Sequence, residues 1–270
     1  MEDVGPVSSI EALLRYVCRP LKAGFLVWCL MLAGCGGGST GLGLDLVSDE
    51  EVEQMSLETW ERIESETPRS DDARAQRTVD RIADRLLRAV GEDPGRWETV
   101  LFEGEQANAF ALPGRKIGVY EGLFDVAKTD AQMAAVIGHE IAHVQAEHGQ
   151  ERVSSQVATS GIVQLVSTAL QMGDIAYADA IAGALGVGAQ YGVLLPYGRN
   201  QESEADALGL KTMAEAGYDP REAIALWRNM DARGGARPPQ FLSTHPSPGN
   251  RIAALEERMP EALEIWRAAG

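Results

Sequence analysis

The stretch His139-Glu140-Ile141-Ala142-His143 decides how this chain reads. On an α-helix, residues four apart share a face one turn up, so both imidazoles can reach a single metal ion while Glu140 stands beside it. A carboxylate so placed can take a proton from water, whose pKa a bound zinc ion lowers to roughly 7. The spacing therefore predicts a hydrolytic zinc centre with Glu140 as general base. Working outward, Thr129 followed three residues later by Gln132 forms a capping box, so the helix starts there and is expected to run to near Gly149.

A zinc ion needs a third protein ligand and an open position. A further histidine ten residues after His139 would complete one known pattern, but the residue there is Gly149, and Ala146 stands where that pattern needs glycine. His148 falls one residue early and reads as an exposed helix-end side chain, favourable near the negative end of the helix dipole. The remaining candidates lie in Arg199-Asn200-Gln201-Glu202-Ser203-Glu204-Ala205-Asp206. Glu202 and Asp206 share a helix face, with Glu202 as ligand and Asp206 as acceptor for a histidine N–H, that of His139. Glu204 points elsewhere. From spacing alone, a solvated acidic face is the competing reading of this pair.

The N-terminal segment is of another kind. Arg15, Arg19 and Lys22 precede an apolar run over 23–33 that closes in Leu32-Ala33-Gly34-Cys35, the pattern of a lipoprotein signal peptide. The run is too short to span a bilayer as a mature helix. Three segments are expected: a signal peptide over 1–34, the lipidated Cys35 with a glycine-rich tether over 35–47, and a catalytic domain over 48–270. Cys18 and Cys29 would leave with the leader, so the mature body holds no free thiol and neither a thiolate zinc site nor cysteine catalysis. Gly36 after the lipidated cysteine favours the outer membrane, by analogy with the bacterial sorting rule.

The chain has 270 residues, 45% of them apolar, enough for a sizeable core. Its formal net charge of -16 comes without a basic patch, which excludes nucleic acid as a partner, because phosphate binding needs clustered Lys and Arg. Helices are expected over 48–66 and 70–90, the second with an apolar stripe of Val79, Ile82, Ala83, Leu86, Leu87 and Val90 and with Gly91 past its end. Strands are expected over 97–102, 108–112 and 116–120, joined through a turn at Pro113-Gly114 into a small antiparallel sheet. The alanine- and glycine-rich stretch 153–198 reads as a buried or lid-forming helical segment. Another helix covers 199–216 up to Gly217, and Asp219, Pro220 and Glu222 open the next with a capping box.

His139-Glu140-x-x-His143 with Arg199-x-x-Glu202-x-Glu204-Ala205-Asp206-x-x-Gly209 resembles the zinc metallopeptidase family that includes the CAAX prenyl protease, HtpX and the periplasmic β-barrel-assembly-enhancing protease. The resemblance implies Glu202 as third ligand and Asp206 as its supporting aspartate. Asn108, Ala109, Phe110 and Ala111 are similar to the family's strand before the active-site helix, which implies that they pair with an extended substrate backbone. Ser243-Thr244-His245-Pro246 with Arg251 resembles its late histidine motif. The resemblance implies that His245 stabilises the oxyanion or covers the metal at rest.

The expected protein is an α+β, mostly helical, gluzincin-like domain holding one zinc ion. It would be a zinc endopeptidase at the bacterial periplasmic face, acting on misfolded or unassembled envelope proteins. The alternative is an envelope chaperone with a mostly latent metal site.

Overall fold

A computed structural model of the protein describes residues 46–172, 183, 186, 195–233, 240–245 and 250–270. The expected leader, Cys35 and most of the tether lie outside the described residues, as does most of the alanine- and glycine-rich stretch beyond Met172. Among the described residues, no helix is long and apolar enough to cross a membrane.

Helix α1 spans Asp49–Glu66 and begins at a complete capping box, in which Ser48 and Glu51 each accept the other's backbone N–H. Helix α2, Ala73–Ala89, is capped by the Asp72 carboxylate, and Val79, Ile82, Ala83, Leu86 and Leu87 are all buried on one side of it. Three strands follow: β1 (Glu98–Phe102), β2 (Ala109–Leu112) and β3 (Lys116–Tyr120).

The sheet is mixed rather than antiparallel. Its order is β1-β3-β2, so β3 lies parallel to β1, with Glu98 opposite Lys116, and antiparallel to β2. The segment after β1 is held away from a hairpin path, because Glu103 N–H donates to the Pro68 carbonyl and Gly122 N–H to that of Gly104. The chain thus passes the end of β3 and leaves room for that strand to insert. One sheet face buries Leu101, Ala109, Ile117 and Val119 in the main core. The other packs Val100, Phe102, Phe110 and Tyr120 around Trp60 of α1.

The remaining helices are α3 (Asp130–Gln145), α4 (His148–Met172), α5 (Leu195–Glu215), α6 (Arg221–Ala232), α7 (Gln240–Thr244) and α8 (Arg251–Ala269). Helix α3 is the centre of the domain: every residue from Gln132 to His143 is buried, and α2, β2, α5 and α6 pack around it. At its start Thr129 accepts the Gln132 N–H, but the Gln132 side chain accepts from Lys128 N–H instead of closing the box on Thr129. Glu222 likewise closes no box of its own. Its carboxylate crosses to accept from Thr129 Oγ1 and Gln132 Nε2, tying α6 to the start of α3.

The close approach of α3 and α5 depends on Gly209. A Cβ there would lie 2.9 Å from His139 N and 3.0 Å from His139 Cα, and neither backbone atom can yield. Gly209→Ala is therefore expected to part the two helices, costing about 1–3 kcal/mol of stability and weakening metal binding, because the two helices carry opposite halves of the site. Thermal melting and a metal-binding titration check this. An unchanged melting temperature together with unchanged affinity would refute the close-packing argument.

Candidate metal centre

Four side chains from three segments of the chain converge at the second half of α3. His139 and His143 come from α3, Glu202 from the first half of α5, and His245 from just after α7, and all four are about nine-tenths buried or more. The Nε2 atoms of His139 and His143 are 3.1 Å apart, and they lie 3.3 and 3.4 Å from the two oxygens of Glu202. His245 Nδ1 is 3.4 Å from His139 Nε2 and 3.1 Å from Glu202 Oε1.

These distances test whether the residues fit a metal. Ligand bonds of about 2.05 Å at tetrahedral angles put neighbouring donor atoms about 3.3 Å apart. With Glu202 Oε1 as its corner, four edges of the donor figure fall at 3.1–3.4 Å, and all four donor atoms lie within 4.8 Å of one another, so the group has the size to hold one metal ion between His139, His143, Glu202 and His245. Without a metal ion, the buried Glu202 carboxylate needs compensating positive charge in the pocket, which a proton on His139 supplies.

Around these four, further groups fix orientation. Asp206 Oδ1 lies 3.1 Å from His139 Nδ1, in charge contact though without the alignment of a hydrogen bond. Arg251, whose side chain is 2% exposed, donates from Nε to Asp206 Oδ2 at 2.5 Å and from Nη2 to Glu202 Oε2 at 2.9 Å. Its guanidinium also stacks 4.0 Å from the Trp227 ring centroid. Local sequence gives Arg251 no role beyond its place in a motif, because its partners lie more than forty residues away. Phe241 stacks on His245 with ring centroids 4.5 Å apart, seating the imidazole.

Glu140 follows His139 on α3, with its side chain 4% exposed and aimed at His245, whose Nε2 lies 3.3 Å from Glu140 Oε1. That oxygen has no aligned hydrogen-bond donor among the described residues. Beside it opens a cleft of about 630 Å³, walled by α1, β2 and the start of α4 and reaching Glu140, His143 and His245. Phe110 and Ala111 of the expected substrate strand line this cleft, whereas Asn108 and Ala109 are buried and are not among its walls. Among the described residues, β2 pairs on one side only, and it forms an edge of the sheet.

The expectation for His148 is corrected. Helix α3 ends at Gln145, short of Gly149, because Glu147 takes a left-handed conformation at φ 55° and starts α4 in a new direction. His148 is turned back into the interior, 1% exposed, with Nδ1 2.9 Å from His143 Nδ1. Glu204, read as pointing elsewhere, lies 3.4 Å from His148 Nε2.

Among the side chains alone, burial disfavours charge on His139, but the carboxylates of Asp206 and Glu202 outweigh it and raise its pKa to about 9. Burial lowers His143 to about 4, with Glu202 acting in the opposite sense. Burial would raise Glu202, yet its contacts with His139, His143 and His245 hold the carboxyl far below the usual carboxylate range. At neutral pH, metal uptake should therefore displace about one proton, from His139, since His143 is already neutral. Affinity is expected to fall about tenfold for each pH unit lowered between roughly 8 and 5. It should level off above about 9, where His139 is neutral beforehand. Calorimetry in buffers of different ionisation heat measures the released protons, and a count of zero would contradict the charge state assigned to His139.

Residues 71–259 match the family model described as Peptidase family M48. The chain belongs to peptidase family M48. The mitochondrial metalloendopeptidase OMA1 of Schizosaccharomyces pombe is 37% identical over 187 residues, covering 68% of this chain and 53% of that protein. The metalloendopeptidase OMA1 of Bos taurus is 30% identical over 228 residues, 79% of this chain and 43% of the relative. The β-barrel assembly-enhancing protease of Escherichia coli is 25% identical over 229 residues, 81% of this chain and 46% of the relative. The chain spans about half the length of these M48 relatives. All four cluster residues, the base and Arg251 fall inside the matched span, whereas α1, which walls the cleft, lies before it.

Proposed function

We propose that this M48 protein is a zinc-dependent endopeptidase that cleaves misfolded or unassembled proteins of the bacterial cell envelope. The observation that carries the reading is the convergence of His139, His143, Glu202 and His245, whose donor atoms lie within 4.8 Å of one another, beside the carboxylate of Glu140. Zinc held by His139, His143 and Glu202 would polarise the scissile carbonyl and lower the pKa of water to about 7. Glu140 takes the water proton and passes it to the leaving amine. His245, released from Glu202, donates to the developing oxyanion. The edge of β2 at Phe110 and Ala111 holds an extended substrate backbone, since unpaired ladder groups accept any peptide.

We place the catalytic domain at 48–270, tethered through an acylated Cys35 to the outer membrane on its periplasmic side. The lipobox pattern over 32–35 supports a bacterial envelope, as does the relative named for β-barrel assembly. The relatives named as mitochondrial include one 37% identical over 187 residues.

A second reading has one observation in its favour. His245 fills the fourth corner of the donor set, so the site as it stands is closed. A chaperone of envelope proteins with a latent metal site would look the same at rest. Incubating the full chain with unfolded casein separates the two. The peptidase reading expects cleavage that a chelator abolishes and zinc restores. Zinc-loaded protein that suppresses casein aggregation without cutting it would establish the chaperone.

A further inference from the structure

His143 reaches the metal cluster through Nε2, so Nε2 presents its lone pair there and the ring proton sits on Nδ1. That proton points at His148 Nδ1, 2.9 Å away. Nδ1 of His148 must then accept, which places the His148 proton on Nε2, facing the Glu204 carboxylate at 3.4 Å. Each donor in the row has an acceptor before it, and each tautomer is set by its neighbour. The two ligand histidines are thus supported differently. His139 is backed directly by the Asp206 carboxylate and Arg251 behind it, and His143 by a second imidazole whose carboxylate lies at the surface.

His148 is held in place from its other side. Glu147 turns the chain, and Gln201, fully buried and adjacent to Glu202, donates from Nε2 to the His148 carbonyl at 3.3 Å and to Glu151 at 3.1 Å. One residue therefore links the segment bearing the third ligand to the turn supporting the second. Resting on the metal reading above, we propose that His148 is a positioning residue of the metal centre, which with Glu204 fixes the tautomer and ring orientation of His143.

The test is zinc affinity of the full chain, measured by competition with a chromophoric chelator, alongside melting of the metal-free proteins. His148→Leu keeps bulk and removes the acceptor, and is expected to raise the zinc Kd about 10–100-fold, the usual effect of removing a hydrogen-bond partner behind a metal ligand. His148→Asn places an amide oxygen where Nδ1 stood and should restore most of that loss at a similar melting temperature. Glu204→Leu, at a surface position, should loosen zinc less and in the same direction without lowering the melting temperature. Leucine binding zinc like wild type would overturn the proposal, as would asparagine failing as badly as leucine, because then His148 only fills space. If His148→Leu does not fold, an unchanged Kd in Glu204→Leu overturns it alone. Wild type that takes up no zinc would instead remove the metal reading, and the relay with it.

Discussion

Arg251→Met is expected to destabilise the metal-free protein by about 3–5 kcal/mol, the range for leaving a buried carboxylate without its partner. Two buried carboxylates lose their shared cation here, Glu202 at 1% and Asp206 at 9% side-chain exposure, and keep only their contacts with the histidines. Methionine fills the space over Trp227 but supplies no charge. Lysine should rescue poorly, because a single ammonium cannot reproduce the forked donation from Nε and Nη2 to two different acids. Excess zinc should recover part of the loss through Glu202, while Asp206 is left with only its contact to His139. Denaturant unfolding with and without zinc measures both parts. A metal-free variant within about 1 kcal/mol of wild type would mean that the acids reach water or protonate when the guanidinium is absent.

Glu140→Gln should lower kcat by about 10²–10⁴-fold, the range associated with a positioned general base. Zinc content should stay at one per chain, since the amide is isosteric and the three expected ligands are untouched. The effect follows from Glu140 Oε1 having no aligned donor beside the cleft. The amide oxygen has almost no basicity, so the water proton has nowhere to go. Cleavage assays paired with metal analysis on the same preparation decide it. Full activity with full zinc would move the proton-accepting role elsewhere, and His245 at 3.3 Å is the nearest group to inherit it.

Features set within one or two helical turns were legible in the amino-acid order. The stripe of α2, the strand segments and the shared face of His139 and His143 all follow from spacing of four residues or fewer. Glu202 and Asp206 sharing a face was equally readable, and so was the gap between them and the histidine pair. What the spacing could not say was which other chain segments arrive there. The insertion of β3 between β1 and β2 depends on hydrogen bonds from Glu103 to Pro68 and from Gly122 to Gly104, which no local pattern announces. The burial of His148 turns on one left-handed residue, Glu147, where glycine would have been the usual signal. Arg251 reaches acids on another helix, and Gly209 lets that helix touch the backbone of His139. The sequence by itself determined the helix bearing His139, Glu140 and His143, because helical periodicity acts over a few neighbouring residues. Only the tertiary structure decided the convergence of Glu202 and His245 on the histidine pair and the groups that orient them. Those contacts join segments 40–110 residues apart, whose meeting depends on how whole helices pack.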